Sequence, residues 1–300
     1  MNPILREATM FELRDSVVVL SAGLLLAGCG AGDSAGGGGA AAASEETAAP
    51  AAVVDPTTVG TISGRIAFEG TPPAGKPIDM SEEPTCAAKH PGGARTEEVV
   101  VDGSGGLKNV FVYIKEGLSG GPYPPPTGSP VLDQNGCVYE PHVLGLRVGQ
   151  RLTIRNSDGL LHNINAKPTA NRTFNISQPT NMETTRSFAV PEIMIPVECD
   201  VHGWMRAYIG VVDHPYFAVS AADGTFQIAN VPPGTYTIET WHERYGTQTV
   251  QVTVAAQQTA EVQVTYRDQM AQNAVVPLGQ PIHLHDHPAG ARAGAAEGGR

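Results

Sequence analysis

Short runs in which every second residue is apolar, each closed by Gly, Pro, Asn or Asp, recur through the middle of this chain. Gly64-Arg65-Ile66-Ala67-Phe68, Val110-Phe111-Val112-Tyr113-Ile114, Arg151-Leu152-Thr153-Ile154-Arg155, Ala207 to Val212 and Thr249-Val250-Gln251-Val252-Thr253-Val254 follow the pattern. Side chains alternate between the two faces of a strand, so each run has one face for a core and one for water. No stretch has the three-and-four spacing of an amphipathic helix. Gly and Pro supply 35 and 24 of the 300 residues and only 16% are charged, which disfavours a coiled coil or a helical bundle. The expected fold class is all-β, with one or two sandwiches joined by turns.

The ends have a different composition. Val17 to Ala27 is an apolar run too short to span a bilayer and suited to the core of a signal peptide. It ends in Leu26-Ala27-Gly28-Cys29, which resembles a bacterial lipobox, although Arg6 and Arg14 are offset by Glu7, Glu12 and Asp15. The resemblance implies cleavage before Cys29, lipidation of Cys29, and anchorage to a membrane facing an oxidising compartment of the cell envelope. Residues 1–28 are thus read as the signal and 29–58, rich in Gly, Ala, Ser and acidic residues, as a flexible linker. Residues 269–300 read as a disordered tail carrying His283, His285 and His287, an alternation that could bind metal weakly.

The formal net charge of -11 argues against nucleic acid as a partner, because such binding draws its affinity from Lys and Arg on phosphates. Acidic residues outnumber basic ones by 6 in residues 29–129 and by 3 in 217–300, but by only 1 in 130–216. Much of the remote charge is screened over about 8 Å in physiological salt. A partner docking on the central stretch is expected to meet a nearly neutral surface.

Asp223-Gly224-Thr225-Phe226-Gln227-Ile228 and Val231-Pro232-Pro233-Gly234-Thr235-Tyr236-Thr237-Ile238 resemble the closing strands and turns of the carboxypeptidase regulatory-like, or transthyretin-like, β-sandwich. Thr61 to Ile66 and Asn109 to Ile114 are similar to that family's opening strands. Two arrangements follow. Residues 59–120 and 217–268 form one sandwich with residues 121–216 inserted, or two domains follow one another.

The central stretch carries the chemistry. Val197-Glu198-Cys199-Asp200-Val201-His202-Gly203-Trp204-Met205 follows Leu160-Leu161-His162-Asn163-Ile164 by some forty residues. A Cys, two His and a Met are the ligand types of a type 1 copper site, with thiolate and two imidazoles in a plane and a weak axial thioether. The thiolate binds both oxidation states, the imidazoles suit both, and the thioether favours the cuprous form. A loop between strand ends would present Cys199, His202 and Met205 at steps of three, with His162 from a separate strand. Zinc would use the same Cys and His residues but is poorly matched to Met, and the Cys-x-x-Cys-His of haem attachment is absent.

With this spacing, residues 131–213 resemble a cupredoxin of the plastocyanin and amicyanin group. The resemblance implies His162, Cys199, His202 and Met205 as copper ligands, with Asn163 hydrogen-bonding toward Asp200 to fix the loop. It implies electron exchange through the exposed edge of His202, with Gly203, Trp204 and residues 191–196 as an apolar rim. With Cys29 lipidated and Cys199 on metal, Cys86 and Cys137 remain and are expected to form a disulfide, worth roughly 3 to 4 kcal/mol by loop entropy. His142 is expected to make a structural hydrogen bond rather than a metal bond. Trp241-His242-Glu243 is expected at the surface, a second metal position there with His90 or His214 lacking any spacing argument.

The expected function is a membrane-tethered type 1 copper protein that passes single electrons to a redox partner protein, with no catalytic turnover, small-molecule substrate or nucleic acid. The alternatives are copper sequestration and a metal-free structural sandwich. No nucleophile turn or His-Glu-x-x-His suggests a hydrolase.

Overall fold

The computed structural model describes residues 54–272. Cys29, residues 1–28 expected to form a signal, and the tail histidines lie outside them. The described chain is all-β apart from one helical turn, Pro84–Lys89, and a 3-10 turn, Asp268–Gln272, which occupies the start of the segment expected to be disordered. The short helix begins as local chemistry directs: Pro84 sits in its first turn, and Glu83 caps it by accepting from the Thr85 amide.

Two sandwiches are built from the alternating runs. In the first, strands Thr225–Val231, Gly60–Glu69 and Thr259–Arg267 form one sheet, with Gly60–Glu69 in the middle. The facing sheet runs Phe217–Val219, Phe111–Glu116, Gly234–His242, Gly246–Val254. Strand Gly60–Glu69 lies parallel to Thr259–Arg267 from Thr61↔Thr259 to Glu69↔Arg267, so residues before and after the central stretch share both sheets. Ile62, Ile66, Val112, Ile114, Phe226, Ile238 and Tyr266 fill the space between. Asp223-Gly224 makes the turn into Thr225–Val231. Gly224 has φ 80°, and a Cβ there would come within 2.3 Å of the Ile66 carbonyl.

The second sandwich is made only from the intervening chain. A five-stranded sheet runs Phe174–Gln178, His162–Ala166, Glu192–Glu198, Arg206–Val212, Val143–Arg147, and a four-stranded sheet runs Met182–Arg186, Leu152–Asn156, Val131–Gln134, Tyr139–Glu140. Its core of Leu132, Leu146, Leu152, Ile154, Ile164, Ile195, Val197 and Ile209 reaches to Cys199 and Met205, so the candidate ligands sit at one end of a packed core. A separate cluster, Phe111 and Tyr113 with Val143, Met194 and Val212, joins the two sandwiches.

Candidate metal centre

Strand Glu192–Glu198 ends where Cys199 begins a tight loop. The loop closes on itself: the His202 amide donates to Cys199 Sγ at 3.4 Å, the Met205 amide to the His202 carbonyl at 2.9 Å, and the Cys199 amide to the Met205 carbonyl at 3.3 Å. This local bonding brings Cys199 and His202 to one side of the loop. His162 opens the strand His162–Ala166 next to Glu192–Glu198. Nδ1 of His162 and Nδ1 of His202 are 2.9 Å apart, and Cys199 Sγ is 3.8 Å from His202 Nδ1. His162, Cys199 and His202 are all buried and form a group whose ligating atoms lie within 4.8 Å of one another. Met205 is 1% exposed and packs in the same core cluster as Cys199.

Asn163 spans from its strand to the loop. Its Oδ1 accepts from the Asp200 amide at 2.6 Å, and its Nδ2 donates to Asp200 Oδ2 at 2.9 Å. Asp200 Oδ2 also accepts from Asn175 and Oδ1 from Asn165, so three amides hold one carboxylate at the base of the loop. These hydrogen bonds depress the Asp200 carboxyl below its usual range.

The sequence reading missed Asp158. Its Oδ2 accepts from His162 Nε2 at 2.8 Å, and its two oxygens accept from the Gly136 and Cys137 amides at 2.7 Å each and from Lys89. Burial opposes its charge, but these donors outweigh it and hold the carboxyl well below the usual range. On His162 burial also disfavours charge, and the carboxylate and the nearby Cys199 sulfur win, raising the imidazole. For Cys199, burial is outweighed by the His162 hydrogen bond and by backbone amides, so the thiol is lowered toward thiolate. His202 is lowered by burial, with the His162 charge adding to it. The only sequence signal for Asp158 is an acidic residue in the Asn156 to Gly159 turn before His162, which resembles many surface turns.

Cys86 and Cys137 form a disulfide, and Cys199 is the free cysteine among the described residues. Asp158 and His162 also group with Cys137, whose sulfur is committed to that bond. The disulfide anchors residues 77–95 beside the ligand loop. Met80, Cys86 and Cys137 form a small cluster with Ile78, Ala87, Ala94 and Trp204 packed against it. Trp204 donates Nε1 to the Cys137 carbonyl at 2.9 Å, and its ring lies 5.1 Å from that of His202.

This corrects the expectation of an exposed His202 edge. His202 is 3% exposed, and Glu83 of the anchored segment is near enough for its charge to act on the ring. His242 departs from expectation as well. It is 1% exposed, stacked on Tyr245 at 4.8 Å, rather than at the surface. His90 bonds the Gly136 carbonyl and His142 bonds Glu243 Oε1 at 2.5 Å, and neither joins a metal-ligating group among the described residues.

The donor chemistry fits copper: two imidazole nitrogens and a sulfur converge in a buried place beside a thioether residue. The His162 ring is already turned by Asp158 so that Nδ1 faces inward.

Residues 206–267 match the carboxypeptidase regulatory-like domain. No curated protein matches the sequence. Among solved structures the chain is similar to a Cu-containing nitrite reductase from Thermus scotoductus SA-01, at 17% identity and a TM-score of 0.27, over 32% of this chain and 25% of that one. The oxidised P94A mutant of amicyanin matches at 21% identity and a TM-score of 0.26, over 28% of this chain and 82% of that one. A purple cupredoxin from Nitrosopumilus maritimus matches at 20% identity and a TM-score of 0.24, over 28% of this chain and 99% of that one. The chain spans a quarter of the reductase's length. Each of these structures matches less than a third of this chain, and the regulatory-like domain model matches residues 206–267.

Proposed function

We propose that this chain is a copper protein of the cell envelope, tethered through Cys29, that carries single electrons between partners and turns over no substrate. The observation that carries the reading is the meeting of His162 Nδ1, His202 Nδ1 and Cys199 Sγ in one buried group. Copper bound there supplies a one-electron couple. The chain's own residues hold the ligands in place: Asp158 orients His162, Asn163 and Asp200 brace the loop, and the core fixes Cys199 and Met205. Ligands held so firmly change little between oxidation states, which lowers the reorganisation that accompanies electron transfer.

Adding copper(II) to the purified chain is expected to give intense visible absorption from thiolate-to-copper charge transfer and a narrow copper hyperfine splitting. Cys199→Ser is expected to abolish both. Their absence from the wild type refutes the reading. Copper sequestration is the second reading, favoured by the burial of His202. It predicts cuprous preference and ready transfer of copper to a chelator, in place of redox cycling with the metal retained.

A further inference from the structure

Lys89 is the last residue of the helical turn Pro84–Lys89 and stands 69 residues before Asp158. The turn is pinned on either side of it: Cys86 is bonded to Cys137, and His90 donates to the Gly136 carbonyl at 2.7 Å. Lys89 Nζ is thereby delivered to Asp158 Oδ1.

Each oxygen of the Asp158 carboxylate then has two donors. Oδ1 accepts from Lys89 Nζ and the Gly136 amide, and Oδ2 accepts from the Cys137 amide and His162 Nε2. The Asp158 side chain is fully buried, where charge is weakly screened, so the four donors compete for one negative charge. The ammonium of Lys89 draws on that charge and leaves less of it for the His162 Nε2 hydrogen. A histidine that donates its far N–H to a carboxylate is a stronger ligand through its other nitrogen. Lys89 therefore acts, by way of Asp158, on His162 Nδ1, the atom that faces His202.

We propose that Lys89 is a positioning residue of the candidate centre, whose ammonium withdraws charge from Asp158, limits the donor strength of His162, and so favours copper(I) over copper(II). No proton moves and no bond is made or broken; only the balance between two states that differ by one electron is shifted. The consequence for copper rests on the copper reading, but its cause is measured in the metal-free chain, so the two fail separately.

In the metal-free full chain the His162 Nε2 proton is followed by NMR in the wild type, Lys89→Met and Lys89→Arg. Methionine keeps the length without the charge, and arginine keeps the charge. The resonance should move downfield in Lys89→Met, as the hydrogen bond to Asp158 strengthens, and stay near wild type in Lys89→Arg. In the copper-loaded chain, Lys89→Met should shift the ratio of copper(II) to copper(I) affinity about tenfold toward copper(II), the lower end for losing a ligand's supporting partner, which equals a potential lowered by about 59 mV for one electron. Voltammetry reads it, and Lys89→Arg should restore the wild-type value. A resonance unmoved in Lys89→Met, an unchanged or raised potential, or the same shift in Lys89→Arg each overturns the proposal. If copper does not bind, the copper reading fails and the proton resonance alone decides. The disulfide and the His90 bond should hold the turn in place, and Lys89→Gln replaces Lys89→Met should that variant not fold.

Discussion

Asp158 Oδ2 takes the Nε2 hydrogen of His162 at 2.8 Å, which leaves Nδ1 of that ring facing Nδ1 of His202 2.9 Å away. The carboxylate thereby sets both the tautomer and the direction of a candidate ligand, and it is itself held by Lys89 and two backbone amides. Asp158→Asn keeps the shape but weakens that orientation. Copper affinity should fall by about 10- to 100-fold, the usual effect of losing a ligand's supporting partner. A competition titration against a chromophoric copper chelator measures it; unchanged affinity removes Asp158 from any role at the centre.

The Cys86–Cys137 bond has a sequence separation of 51 and ties residues 77–95 beside His202. Replacing both cysteines by Ser should lower stability by about 4 kcal/mol on the loop-entropy account. It should also speed removal of copper by a chelator, because the cover over Trp204 and His202 is loosened. Urea unfolding and stopped-flow chelation read the two effects, and a chelation rate equal to wild type shows that the segment does not shield the centre.

Gly210 lies where the two sandwiches meet. A Cβ there would come within 2.6 Å of Met194 Cε and 2.7 Å of Phe111 Cζ. Gly210→Ala should therefore displace the Phe111 ring and destabilise the chain by about 1 to 3 kcal/mol, the range for overpacking a core. Chemical denaturation checks this, and an unaffected midpoint means the aromatic cluster yields freely.

His242 is buried with its Nε2 unpaired, and burial, helped by the charges of His142 and Arg244, pushes its imidazole down to about 3 from an ordinary 6.5. Its folded-state value is lowered, so the unfolded chain binds the proton first as pH falls. Between about pH 6.5 and 3 this residue should lose the fold about 1.4 kcal/mol per pH unit. His242→Gln cannot take up that proton and should flatten the acid limb of the stability profile. The difference between the two profiles is the readout, and parallel profiles refute the assignment.

The strands were legible because alternation is local. Arg151 to Arg155 reads as a strand and Leu152–Asn156 forms one; Thr249 to Val254 lies within Gly246–Val254. The convergence of His162, Cys199 and His202 was legible because Cys199 and His202 lie three apart on one loop and His162 opens a strand. Asp158 was not, since its partners Lys89, Gly136 and Cys137 are distant in sequence and nothing about an acidic turn residue announces them. The burial of His242 was hidden for a similar reason: Trp241-His242-Glu243 is polar enough to read as surface, and only the packing of Tyr245 and Tyr266 on its ring encloses it.

By itself the sequence determined an all-β chain and the residue types that can gather around a metal, because strand period and loop spacing are written in neighbouring residues. Tertiary structure alone decided that Gly60–Glu69 lies beside Thr259–Arg267 and that Trp204 and the disulfide-anchored segment close over His202. Those outcomes depend on packing between residues far apart in the chain, where the free energy of burial rather than any local pattern selects the partner.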